Sequence, residues 1–285
     1  MPSLPHQAVA AYAARFMRAK VPPTPTTVPK AIARRRSKPR VIPGDFELTS
    51  MSGLPVLRYG TGSVSLVYVH GGAYVSDIDP RHLDLCRYLS TALAASVVLP
   101  LYPLAPEHTW CDSFDAMVDL VAGLASSGPT VMAGDSAGGG YALAIAMGLR
   151  DRGGPTVARL ALISPWVDLT ASASGIVAAA DRDPWLRLDW LETYATMWAG
   201  SEADRSAWQV SPALGSLHDL PPTLALIGTH DLLHAENVVL QDRARAAGWD
   251  YTLIEEPGLI HVYPLLPIPE AKRARAQIAG FLRGQ

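Results

Sequence analysis

What most constrains the fold of this chain is an alternation. Short, unbroken runs rich in β-branched residues take turns with longer stretches whose apolar residues recur at helical spacing. Ser65 to Val69 is followed by Pro80 to Ala94, Ser96 to Leu101 by Asp112 to Ala125, and Thr130 to Ala133 by Ala137 to Arg150. The rhythm resumes with Arg159 to Ser164, with Thr223 to Ile227 and Ala235 to Ala247, and with Tyr251 to Glu255 before a closing helix from Glu270 to Leu282. Strands apolar on both faces, each followed by a helix, predict a mostly parallel sheet covered by helices on both sides, an α/β fold. With 285 residues, 49% of them hydrophobic and 18% charged, the chain can enclose one large core and reads as a single domain, 1–285.

Two stretches stand outside the rhythm. Between Pro165 and Pro212 it stops, and the intervening residues hold five of the seven tryptophans, Trp166, Trp185, Trp190, Trp198 and Trp208. This reads as an inserted cap, about 166–212. Residues 1–44 carry nine Lys or Arg and no acid, a basic arm ahead of an acidic body. Its prolines leave only Ala8 to Lys20 as a continuous helix, with Val9, Tyr12 and Phe16 on one face, and the remainder is expected to be extended. The arm is expected to complete the cap by covering part of a pocket.

Several classes are excluded at this level. No apolar run approaches the ~18 to 20 residues that span a bilayer. The first residues lack the uninterrupted apolar core of a secretory signal, so the cytoplasm is expected. Cys86 and Cys111 are too few for a disulfide framework and too far apart for a zinc or redox pair, so buried free thiols are expected. The net charge of -2 goes with no nucleic-acid partner.

The chemistry concentrates at Gly134-Asp135-Ser136-Ala137-Gly138, which follows one strand and opens the next helix. A serine at such a turn is held in strained backbone geometry, and small residues two before and two after it let strand and helix approach. Upstream, His70-Gly71-Gly72-Ala73-Tyr74 follows the strand Ser65 to Val69. Backbone N–H groups of glycines can converge on a developing oxyanion, so Gly71 and Gly72 with Ala137 are the expected oxyanion hole, and His70 an orienter of that loop. Serine needs a base, and the base needs an acid to fix its tautomer. Asp231 follows the strand Thr223 to Ile227, and His261 follows Tyr251 to Glu255, giving the order Ser136, Asp231, His261. Glu236 competes for the acid's place. His230 and His234 have the i, i+4 spacing of a helical zinc site, but they lie at a strand end without an apparent third ligand, and no metal is expected. Asp135 reads as a buried carboxylate tying loops together rather than a catalyst.

These residues resemble the hormone-sensitive lipase branch of the α/β-hydrolase fold, the bacterial carboxylesterases with an H-G-G-G or H-G-G-A block and a G-D-S-A-G turn. The resemblance covers nearly the whole chain and includes Tyr102-Pro103-Leu104-Ala105-Pro106-Glu107-His108, Ser164-Pro165-Trp166-Val167-Asp168-Leu169, Ser211-Pro212-Ala213, Leu220-Pro221-Pro222-Thr223 and Leu259-Ile260-His261-Val262-Tyr263. Pro103, Ala73, Leu232 and Val262 depart from the usual residues of that family. The resemblance implies a serine carboxylesterase acting on small ester substrates through an acyl-enzyme, without metal or organic cofactor, and admits a homodimer. Cleavage of an amide or formamide, transfer of the acyl group to an alcohol, and a binding protein on the same fold are the alternatives. Trp166, just beyond a strand end near the serine, is the expected wall of the acyl pocket, with Tyr74 beside it.

Overall fold

The computed structural model describes residues 1–36 and 42–285; Lys38 and Arg40 of the arm's basic cluster lie outside the described residues. The apolar runs become strands: β3 (Val64–Val69), β4 (Ala95–Pro100), β5 (Thr130–Asp135), β6 (Leu160–Ile163), β7 (Thr223–Gly228) and β8 (Tyr251–Glu256). A hairpin of β1 (Glu47–Met51) and β2 (Leu54–Tyr59) precedes them and has no counterpart in the alternation read from the sequence. All eight join one sheet in the order β1-β2-β4-β3-β5-β6-β7-β8, parallel from β4 to β8, with the hairpin antiparallel on one edge. The hairpin escaped notice because β1 is polar and largely exposed, so its sequence carries little of a buried strand's signal.

Because successive side chains of a strand point to opposite faces, the apolar strands feed two cores at once. Val67, Val69 and Met132 pack with α4 (Phe114–Ser127), α5 (Ser136–Asp151) and α8 (His234–Ala246) on one face. Leu66, Tyr68, Val131 and Ala133 pack with α3 (Pro80–Leu93) and α9 (Pro269–Arg283) on the other. α5 is buried from Ala137 through Leu149, so it is apolar around its circumference, as a helix driven into the middle of the sheet must be. Cys86 is buried, whereas Cys111 is exposed, because it lies in a single 3₁₀ turn on the surface before α4.

The arm is more helical than its prolines suggest. α1 runs Leu4–Tyr12 and continues through one π turn, Ala13–Met17. α2 spans Thr27–Arg36, where an extended chain is expected. Pro29 falls in the first turn of α2, where its missing N–H removes no helical hydrogen bond, so it does not break the helix. The π turn adds a residue to the helical repeat and displaces the face that follows. Val9 and Tyr12 line a cavity of about 760 Å³, Tyr12 while 57% exposed, and Phe16, 65% exposed, is not among its lining residues, a departure from the face expected of all three. The insertion supplies α6 (Ile176–Arg182) and α7 (Leu188–Ala199). Arm and insertion are tied together: Arg18 donates to the carbonyls of Asp183 and Ala180, and Trp190 Nε1 to that of Val21 at 2.9 Å. Among the described residues no helix is long and apolar enough to cross a membrane.

Candidate active site

The carboxyl ends of β3, β5, β7 and β8 lie on one edge of the parallel sheet, and the chain leaves each through a loop that carries one of the singled-out residues. Ser136 sits between β5 and α5 with φ +52°, a left-handed conformation costing a non-glycine residue of order 1–3 kcal/mol. The two glycines of the turn explain how the strain is kept. A Cβ on Gly134 would lie 2.5 Å from the Gly138 carbonyl oxygen, and one on Gly138 would lie 2.2 Å from that of Val69. Only hydrogen fits at either place, so strand and helix close to a distance that leaves Ser136 one conformation. Its carbonyl accepts the Trp166 N–H at 2.9 Å, which pins the turn to the end of β6.

Ser136 Oγ lies 2.9 Å from His261 Nε2, and His261 Nδ1 lies 2.9 Å from Asp231 Oδ2. A carboxylate can only accept, so Nδ1 carries the proton and Nε2 is left to accept from the serine hydroxyl. The second oxygen of Asp231 accepts the Leu233 N–H at 3.0 Å, and the residue is wholly buried. Burial works against a charged His261, but the charge and hydrogen bond of Asp231, with Asp183 and Asp135 farther away, outweigh it and raise the imidazole above its ordinary value. The rings of Trp185 and His261 meet edge to face at a centroid distance of 5.7 Å. Trp185 also lines the 760 Å³ cavity under α1, so it stands between that cavity and the histidine.

The loop after β3 is built around Asp135. Its Oδ1 accepts the Gly71 N–H at 2.9 Å and the Tyr68 hydroxyl at 2.8 Å, and its Oδ2 lies 3.4 Å from His82 Nε2. Burial alone would raise this carboxyl; the charge and hydrogen bond of His82, then those of Tyr68 and Gly71, hold it below its usual value. This bears on the expected oxyanion hole of Gly71, Gly72 and Ala137. Gly71 N–H is given to the Asp135 carboxylate. The next two amides, Gly72 and Ala73, have no acceptor among the described residues, and the positive φ of both, +122° and +55°, belongs to the tight turn they form. Ala137, second in α5, has an N–H with no helical partner. His70 bonds the Gly71 carbonyl through Nδ1 at 2.8 Å and stacks on Tyr102, whose hydroxyl donates to the His70 carbonyl at 2.7 Å. Burial and the charge of His82 push His70 down to about 4.

Tyr74 and Trp166 are both buried and their ring centroids lie 5.8 Å apart. Tyr74 also stacks face to face on Trp198 of the insertion, at 4.4 Å and 1°. That contact was not legible in the sequence, where Trp198 is one insertion tryptophan among several. Trp166 borders a narrow cleft with Leu169, Ile176, Leu191 and Leu232. Glu236 is not brought to His261. Its Oε1 accepts the Val167 N–H at 2.7 Å, and burial raises its carboxyl well above the usual range. His234 Nε2 lies 2.5 Å from Glu255, and among the described residues no three His, Cys, Asp or Glu gather as metal ligands would.

With this geometry in place, residues 66–265 match the family described as having the alpha/beta hydrolase fold. The chain belongs to that family. An acetyl-hydrolase of Streptomyces hygroscopicus is 33% identical over 227 residues, covering 77% of this chain and 75% of the relative. The esterase EstE5, whose crystals were soaked with p-nitrophenyl butyrate, superposes with a TM-score of 0.86 at 26% identity, covering 99% of this chain and 98% of the other. EstE7, a homologue of hormone-sensitive lipase from a metagenome library, superposes with a TM-score of 0.84 at 27% identity over 100% and 99% of the two chains. The hormone-sensitive-lipase-like, esterase branch of the α/β-hydrolases is therefore where this chain stands.

Proposed function

We propose that the chain hydrolyses carboxylic esters of short to medium acyl length, with Ser136 as nucleophile, His261 as general base and acid, and Asp231 as the group that orients it. Ser136 Oγ attacks the acyl carbonyl as its proton passes to His261 Nε2. The oxyanion is received by the N–H groups of Gly72, Ala73 and Ala137. The imidazolium, steadied by Asp231, returns the proton to the departing alcohol and leaves an acyl-enzyme. Water then loses a proton to His261, attacks the same carbonyl, and the carboxylic acid departs as Ser136 regains its hydrogen. No cofactor enters this scheme. The arm, residues 1–44, and the insertion, 166–212, act as the cap, with Trp166 and Tyr74 walling the acyl side. The observation that carries the reading is the hydrogen-bonded run Ser136–His261–Asp231, two contacts of 2.9 Å at a strained strand-to-helix turn.

The test is a panel of p-nitrophenyl esters from acetate to palmitate with fluorophosphonate labelling. Turnover should peak between roughly two and eight acyl carbons, each methylene that fits adding about 0.8 kcal/mol, because a walled pocket ends where an open lipid-binding plateau would not. Ser136 should carry the label, and Ser136→Ala should lower turnover by about three orders of magnitude or more. A label on another serine, or an optimum at palmitate, contradicts the reading.

A further inference from the structure

Beyond the three residues just assigned, one more ionisable side chain is built into the same corner of the molecule. Asp183 closes α6 in the insertion and is 1% exposed. Its Oδ2 accepts the Leu232 N–H at 2.7 Å, and its Oδ1 accepts the N–H groups of Trp185 at 2.6 Å and Leu186 at 2.8 Å. Leu232 N–H and Leu233 N–H are consecutive donors of one turn; the first is held by Asp183, the second by Asp231. Two buried carboxylates therefore grip adjacent amides of the turn that places the proposed orienting acid. From the other side, the guanidinium of Arg18 in the arm is bonded to the main-chain carbonyl of Asp183. The residue that follows by two, Trp185, is the one whose ring meets that of His261 edge to face.

From this arrangement we infer that Asp183 is a positioning residue for the hydrolytic reaction: it locks the Asp231 turn and the Trp185 ring against His261, and through Arg18 it makes that locking depend on the seating of the arm. The inference rests on the reading of Ser136, His261 and Asp231 given above. Both oxygens of the carboxylate are used as acceptors, so an asparagine in its place would keep only one side of the set and turn an NH₂ group toward an N–H on the other. The groups facing it are Asp231 from the loop after β7, His261 from the loop after β8 and Arg18 from the arm, with Arg81 above the Trp185 ring at 5.9 Å. Burial and the charge of Asp231 push the Asp183 carboxyl up to about 6, while the Trp185 and Leu186 amides and His261 work in the opposite direction. Its negative charge in turn favours the imidazolium of His261.

Removing an anion near His261 makes its protonation less favourable, so the histidine stays neutral to lower pH and the acid limb of kcat/KM moves down. In the full chain, Asp183→Asn should shift that limb down by about half a unit or more. It should also lower kcat about tenfold with KM held within about twofold, as expected when the reacting groups are misplaced and substrate binding is not. Arg18→Leu, which leaves the carboxylate in place, should lower kcat in the same direction without moving the limb. Titration of the His261 ring by NMR reads the same shift with no substrate present. An inactive wild type on every ester would count against the hydrolase reading, while the ring titration would still decide on Asp183. A folded Asp183→Asn protein with wild-type kcat and an unmoved His261 titration overturns the inference. Should that variant not fold, Arg18→Leu with an unchanged kcat overturns it instead.

Discussion

Replacing Asp231 by asparagine changes one atom and tests the proposed relay at its least forgiving point. The site offers an asparagine two orientations. In the first, its carbonyl oxygen keeps the Leu233 N–H now held at 3.0 Å by Asp231 Oδ1, and its NH₂ group faces His261 Nδ1. Nδ1 must then accept, the ring proton moves to Nε2, and Nε2 turns from an acceptor into a donor toward Ser136 Oγ. In the second, the oxygen stays on His261 and the NH₂ group confronts the Leu233 N–H, two donors face to face in a place closed to water, at about 1–3 kcal/mol. The unproductive orientation is thus the preferred one. Either way the imidazolium formed during attack loses an anion in direct contact, worth about 4 kcal/mol at the effective dielectric of a protein site. Taken together these losses correspond to about four orders of magnitude in kcat, the scale found for the same change in other serine hydrolases. The assay is p-nitrophenyl butyrate turnover alongside a thermal melt, with Glu236→Gln as the comparison. Glu236 is raised by burial and holds the Val167 amide, so its amide isostere should stay within about tenfold of wild type. An Asp231→Asn protein that folds and keeps more than about a hundredth of wild-type kcat refutes the argument.

Two further outcomes follow from the geometry. Gly138→Ala would set a methyl 2.2 Å from the Val69 oxygen and 2.3 Å from the His70 oxygen, both backbone at the sheet's centre, and should cost roughly 3 kcal/mol in a urea melt; an unchanged midpoint would contradict the close approach. His70 is held neutral with its value down at about 4, whereas the unfolded chain takes up that proton near 6.5, so its contribution is present above 6.5 and fades as pH falls through about 4. His70→Gln should remove on the order of 3 kcal/mol of that acid-side loss, read as a flatter stability profile between pH 6.5 and 4; parallel profiles would count against it.

The parallel part of the sheet was legible because most of its strands are apolar on both faces and are followed by helices. The order of Ser136, Asp231 and His261 along those strands was legible for the same reason, since it needs only their positions after β5, β7 and β8. What escaped was decided across long separations. That the Gly71 N–H is taken by a carboxylate depends on Asp135, 64 residues away. The helix α2 hides behind a proline that happens to fall where a helix tolerates it, and β1 behind a polar composition. Asp183 looks like any surface acid in Asp181-Arg182-Asp183-Pro184, and only the packing of the insertion on the Asp231 turn distinguishes it.

The arm's points of attachment also set an order of events during synthesis. Ser3 bonds Glu270 through both backbone and hydroxyl, at 2.6 and 2.9 Å, and His6 Nε2 accepts the Ile260 N–H beside His261. These partners leave the ribosome some 250 residues or more after the segment that waits for them. α1 therefore cannot make these contacts until residues 260–270 have been made, and until then Val9 and Ala13 lack the cover of the residues packed against them. A nascent chain can thus form the Ser136 turn before these contacts of the arm exist, and with nine positive charges and no acid in residues 1–44 the waiting segment favours solvation over collapse.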